Sequence, residues 1–178
     1  ALSRVLRYAI IRHKGRVELQ SLSLVDDLTS LYNRRGFMLF AQQQLSIAIR
    51  TKRGMILFFI HIEGLNEVTE KLGRQYEDLA KIETANILKE IFRESDIIAR
   101  HGRDEFTAMA IESFDANNEI IITRLQDELE NRNKQENRQY ELSLCIGKAY
   151  YDTEELCTIE ELINRAKKSM IEQKKNTL

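Results

Sequence analysis

Proline is absent from all 178 residues. Turns must therefore be made by Gly, Asn and Asp. Cysteine is nearly absent too. Cys145 and Cys157 make neither a disulfide framework nor a metal-spaced pair, which points to a reducing, cytoplasmic setting. Net charge is missing: 27 basic residues almost cancel 28 acidic ones, leaving −1. No global positive field is there to gather a nucleic-acid polymer. No apolar run nears the roughly 18 residues that would span a bilayer. The opening, ALSRVLRYAIIRHKGRVELQ, is too charged and too periodic for a signal peptide. It reads as a helix entered midway, in a fragment of a longer chain. What is present is 43% hydrophobic residues, enough for one domain with a proper core.

The patterning divides the chain at about residue 24. Residues 2–24 predict a helix. Ile10, Val17 and Leu24 recur every seven residues, with Leu6, His13 and Gln20 between them. Such a helix either docks on the domain or forms a parallel dimer stalk from an upstream sensor. In the second segment, 25–178, Asp26 or Asp27 is expected to cap a helix through LTSLYNRRGFMLFAQQQLSIAIRTK. Leu39, Phe40, Leu45 and Ile49 would be its buried stripe. MILFFIHIE (55–63) is apolar almost throughout, so it predicts a central strand. A long helix is expected over about 67–93, then strands IIARH and FTAMAI as a hairpin. A helix over 117–133 turns Ile121, Leu125 and Leu129 to one face. The polar loop NRNKQENRQ, a strand over 140–151 and a closing helix over 158–175 complete the chain. This alternation predicts a layered α/β sandwich with an antiparallel hairpin inside a mixed sheet.

The chemistry concentrates at RHGRDEF, residues 101–106 with Arg100 before them. Asp104 and Glu105 put two carboxylates at the hairpin tip. His61 and Glu63 share one face of the strand that ends nearby. If those strands are neighbours, all four groups meet at one strand end. Hard divalent cations favour such oxygen donors, although acids at turns are commonly just solvated. Arg93-Glu-Ser-Asp96 at the end of the long helix has two readings as well. In one, the arginine is simply favoured by the helix dipole, with Asp96 ending the helix. Alternatively, both side chains hold one phosphate- or guanine-bearing ligand.

Three stretches together resemble the GGDEF domain, the bacterial diguanylate cyclase family. DDLTSLYNRRGF (26–37) is similar to its entry motif, RHGRDEF to its signature hairpin and LSLCIG (142–147) to its late strand. The resemblance covers about residues 22–176. It implies a cyclase-like three-layer sandwich, a central mixed five-stranded sheet flanked by helices. It also implies two facing domains, each with one GTP and two Mg²⁺ ions, that make cyclic di-GMP. Under it, Glu63, Asp104 and the backbone of Ile62 hold metal, and Glu105 supports the transition state or activates the 3′-hydroxyl. Thr69 and Asp78 take the guanine, while Gly102, Arg103 and Lys174 take the phosphates. Arg93 and Asp96, with Arg124 as a second arginine, match the family's site for inhibitory cyclic di-GMP.

Four positions depart from the family pattern. His61 stands where the first metal aspartate is expected, and an imidazole is a poor Mg²⁺ ligand. Thr69 replaces an asparagine. Arg103 replaces a glycine, at an expected strain of roughly 1–2 kcal/mol if the turn requires positive φ. Leu178 stands where an arginine is expected. These substitutions point to a degenerate catalytic site beside a preserved product site. The expected role is a cyclic-di-GMP or GTP binding module, a homodimer with an upstream sensor or response-regulator domain and a phosphodiesterase domain downstream. An active or weakly active cyclase, or a structural module without nucleotide, are the alternatives.

Overall fold

The computed structural model describes residues 23–111 and 116–176. Its elements are β1 (Tyr32–Asn33), α1 (Arg34–Thr51), β2 (Met55–Glu63), α2 (Leu65–Leu72), α3 (Arg74–Ile91), β3 (Ile97–Arg100), β4 (Glu105–Ile111), α4 (Ala116–Asn133), β5 (Ser143–Tyr151) and α5 (Ile159–Asn176). The five strands form one sheet in the order β1-β3-β4-β2-β5. β1 runs parallel to β3, and every other pair is antiparallel.

The apolar run 55–63 becomes β2, paired on both sides as its composition predicts. Period-two alternation sends its side chains to two cores. Ile56, Phe58, Ile60 and Ile62 join Phe106, Ala108 and Leu125 in the layer of α3 and α4. Met55, Leu57 and Phe59 join Phe37, Ala41, Leu162 and Ala166 in the layer of α1 and α5. The result is helix, sheet, helix: the three-layer α/β sandwich expected. Leu125 is buried, with Ile121 and Leu129 packed beside it, so α4 presents the expected face.

Several boundaries differ from expectation. No helix begins at Asp26 or Asp27. The Asp26 carboxylate instead accepts the N–H and hydroxyl of Thr29, at 2.9 and 2.8 Å, and Ser30 adopts φ 58°. That left-handed residue breaks the helical path. Helix α1 starts at Arg34, capped by Asn33, whose side chain accepts from Gly36 N–H at 2.9 Å. Its buried side is Phe37, Ala41, Leu45 and Ala48, whereas Leu39 and Ile49 are exposed. The later start moves the inward stripe around the helix. The expected long helix divides at Gly73, which adopts φ 96° and ψ 171°, a conformation open chiefly to glycine. Strand β5 begins at Ser143 because the Asn133 side chain binds both the N–H and the C=O of Leu142. The expected helix over 2–24 lies outside the described residues, apart from Ser23 and Leu24, which are not helical. Among the described residues no helix is long and apolar enough to cross a membrane.

Candidate functional site

In the β2–β4 ladder His61 faces Glu105, and beyond it Ile62 N–H donates to the Asp104 carbonyl at 2.9 Å. His61, Glu63, Asp104 and Glu105 therefore come together at one strand end, as expected. Each acid already meets a basic group of the chain. His61 Nε2 lies 3.3 Å from Asp104 Oδ2. Lys174 Nζ lies 2.9 Å from Glu63 Oε1, and the Ser143 hydroxyl donates to Glu63 Oε2 at 3.1 Å. Lys174 holds the Glu63 carboxyl below the usual range, and Glu63 in turn raises Lys174. Lys167 Nζ lies 2.6 Å from Glu105 Oε1 and 5.1 Å from the centre of the Phe59 ring.

Mg²⁺ would need hard oxygen donors in near-octahedral array. Here an imidazole sits beside Asp104, and two lysines hold the other two acids. Among the described residues no group of three or more His, Cys, Asp or Glu side chains is arranged to hold a metal ion. The residues present do not fit the two-Mg²⁺ site that the resemblance implies.

Gly102, Arg103 and the loop they form are braced by Arg100. Its guanidinium donates to the Gly102 and Arg103 carbonyls, each at 3.1 Å, and to Asp26 Oδ1 at 3.1 Å. Gly102 N–H donates to the Glu105 carbonyl at 3.0 Å, closing the hairpin. The strain expected at Arg103 is absent. Positive φ among the described non-glycine residues occurs at Ser30, Lys52 and Asn137. His101 packs edge-on against Phe37 and Phe59, and burial pushes its pKa down by disfavouring the charged form.

The helices α2 and α3 carry Thr69 and Asp78. Between these two residues stands Glu77, only 7% exposed. Its Oε1 accepts from Lys81 at 2.7 Å and from Arg103 Nε at 3.0 Å. The Thr69 hydroxyl lies 2.8 Å from both Glu77 Oε2 and the Leu65 carbonyl. Asp78 is half exposed, 3.5 Å from Lys81. Arg103 also donates to Asn66 Oδ1 at 3.0 Å. Its side chain thus spans from the hairpin tip to both helices, across the gap to which the resemblance assigns a nucleotide. Hydrogen bonds from Arg103, then from Lys81, hold the Glu77 carboxyl far below its ordinary range.

A second group lies beyond the end of α3. The helix stops at Ile91, capped by Phe92, so Arg93 stands past its end rather than in its last turn. Asp96 Oδ2 accepts the Arg93 N–H at 2.9 Å, and the Asp96 N–H donates back to the Arg93 carbonyl at 2.9 Å. That reciprocal turn leaves the Arg93 side chain exposed. Arg124 is exposed on α4. Leu178 lies outside the described residues.

Asn66, Glu77, Lys81, Arg100 and Lys167 have no role assigned by the sequence patterns or by the resemblance. Two signals were available: Glu77 and Lys81 are four apart on one helix, and Lys167 and Lys174 are seven apart on another, hence on one face.

Residues 23–177 match the family described as Diguanylate cyclase, GGDEF domain. The chain is 29% identical over 147 residues to the bifunctional diguanylate cyclase/cyclic di-GMP phosphodiesterase MucR of Pseudomonas aeruginosa, covering 83% of this chain and 22% of that protein. It is 28% identical over 151 residues to the cyclic di-GMP phosphodiesterase NbdA of the same organism, covering 83% of this chain and 19% of that one. The chain thus spans about a fifth of these curated relatives. The crystal structure of the FimX GGDEF domain from P. aeruginosa aligns with TM-score 0.76 and 26% identity, over 85% of this chain and 93% of that one. The coiled coil and GGDEF domain of DgcB from Caulobacter crescentus, solved in complex with cyclic di-GMP, align with TM-score 0.79. Identity there is 16%, over 98% of this chain and 94% of that one, so that likeness speaks for the fold.

Proposed function

The chain belongs to the GGDEF family, and from that premise we propose that it is a regulatory domain of the cyclic-di-GMP system, catalytically degenerate and binding the dinucleotide through Arg93, Asp96 and Arg124. The observation that carries this reading is the Arg93–Asp96 turn. It orders the backbone around an exposed guanidinium through two reciprocal bonds of 2.9 Å. A planar guanidinium on a fixed turn suits a phosphodiester or a guanine edge. Lysine and histidine contacts at Glu63, Asp104 and Glu105 support the loss of catalysis.

The domain works in the cytoplasm, in keeping with its free cysteines. It functions as a homodimer, with residues 1–24 as the segment that couples it to an upstream sensor. A phosphodiesterase domain downstream is favoured by the relatives MucR and NbdA, whose names carry that activity. The ligand acts by population shift, binding one arrangement of domains better than another.

Calorimetric titration with cyclic di-GMP tests the reading, beside Arg93→Ala. Micromolar binding lost in the variant is expected. Equal binding by both proteins would remove Arg93 from the site. An active cyclase is the second reading, favoured by the clustering of Asp104, Glu105 and Glu63 at one strand end. Cyclic di-GMP made from GTP with Mg²⁺ or Mn²⁺ would establish it.

A further inference from the structure

Three carboxylates at one strand end repel one another and need counter-charge. Resting on the degenerate reading above, we propose that basic groups of this chain itself take the places of the divalent ions, so that the site is complete without metal. Lys174 is the counter-ion of Glu63, Lys167 of Glu105 and His61 the partner of Asp104, at 2.9, 2.6 and 3.3 Å.

The arrangement is built rather than incidental. Both lysines come from α5, seven residues apart, so one helix face delivers two ammonium groups to two acids on β2 and β4. The Lys167 ammonium lies over the Phe59 ring at 5.1 Å, an aromatic face that is itself buried. Glu63 is held from its other oxygen by Ser143, which fixes the carboxylate toward Lys174. His61 is fixed by its place in β2, paired on both sides. An ammonium matches the charge of a carboxylate but has no open coordination position for a phosphate oxygen or a water. A divalent ion would have to displace two lysines and accept an imidazole. Glu63 and Glu105 therefore serve to dock α5 against β2 and β4, and the retained signature acids are occupied by the protein's own basic groups.

The test is direct Mn²⁺ titration of the whole chain by electron paramagnetic resonance, with thermal unfolding in chelator and in Mg²⁺ or Mn²⁺ at constant ionic strength. Expected for the wild type is no bound Mn²⁺ and a Tm shift below about 1 °C up to roughly 10 mM cation. Stoichiometric Mn²⁺ binding, or a cation-induced rise of several degrees, would overturn the inference. The variant Lys167→Ala/Lys174→Ala is expected to lose Tm in chelator and to regain part of it with Mn²⁺. A folded double variant as indifferent to Mn²⁺ as the wild type would also overturn it. Should that variant fail to fold, the wild-type titration decides alone. Cyclic di-GMP binding is measured without metal, so failure of the receptor reading is separable from failure of this one.

Discussion

Replacing Glu77 by methionine removes the main counter-charge of Lys81, which is 5% exposed. Breaking a buried pair from one side costs about 3–5 kcal/mol, because the remaining charge is left desolvated. The lower end applies here. Asp78 stays 3.5 Å from the ammonium, and the Thr69 hydroxyl keeps the Leu65 carbonyl. Arg103 is exposed enough to find water and retains Asn66. The expected loss is thus about 3 kcal/mol, a fall in Tm of roughly 6–12 °C for a domain of this size. Removing both charges, Glu77→Met/Lys81→Met, should recover most of it, to within about 1 kcal/mol of the wild type. Urea unfolding followed by circular dichroism, arranged as a double-mutant cycle, reads the coupling. A single variant losing less than about 1 kcal/mol would refute the argument. So would a double variant as unstable as the single, since the cost would then lie in packing and not in charge.

Acid should weaken the fold through the same carboxylate. Glu77 is held ionised in the folded protein to far lower pH than in the unfolded chain. Its contribution is therefore complete above an unfolded pKa of about 4.3 and is lost as pH falls below it. Denaturation from pH 7 to 3 should show this decline, flattened in Glu77→Met/Lys81→Met; an unchanged slope would count against the assignment. Gly147→Ala should destabilise by about 3 kcal/mol or block folding, because its Cβ would meet the backbone of Ala166 and Met170 in α5. Thermal unfolding of that variant checks it, and a Tm within a degree or so of wild type would be inconsistent. Arg100→Lys keeps the charge but cannot reach Asp26 and two carbonyls at once. Faster amide exchange at Gly102 and Glu105 is expected, with about 1 kcal/mol lost; unchanged exchange would show that the hairpin does not need the brace.

Elements with a strong periodic signal were legible from the sequence. The run 55–63 had to be a strand buried on both faces, and the hairpin followed from a charged tip between two apolar runs. Helix starts were not. Asp26 offers the chemistry of a cap, yet Arg100 lies 74 positions away and takes the same carboxylate, a contact that local propensity cannot register. The site was partly legible for the same reason. The acids were visible as residue types, and strand adjacency then brought them together. Lys174 was named through the resemblance, but its pairing with Glu63, and that of Lys167 with Glu105, became visible only once α5 was packed against β2 and β5.

Helix α5 follows every other described element along the chain, and a ribosome releases it last among them. The strands β2 and β4 can pair before it emerges, with Glu63 and Glu105 still lacking their lysines. A nascent chain halted short of residue 167 therefore carries an acidic strand end without α5 docked on it, and the layer over Phe59 holds only its α1 half. Synthesis of α5 covers that side of the sheet and brings both lysines to their acids in one event, so quality control during translation meets an anionic, half-covered intermediate until the last turns of α5 appear.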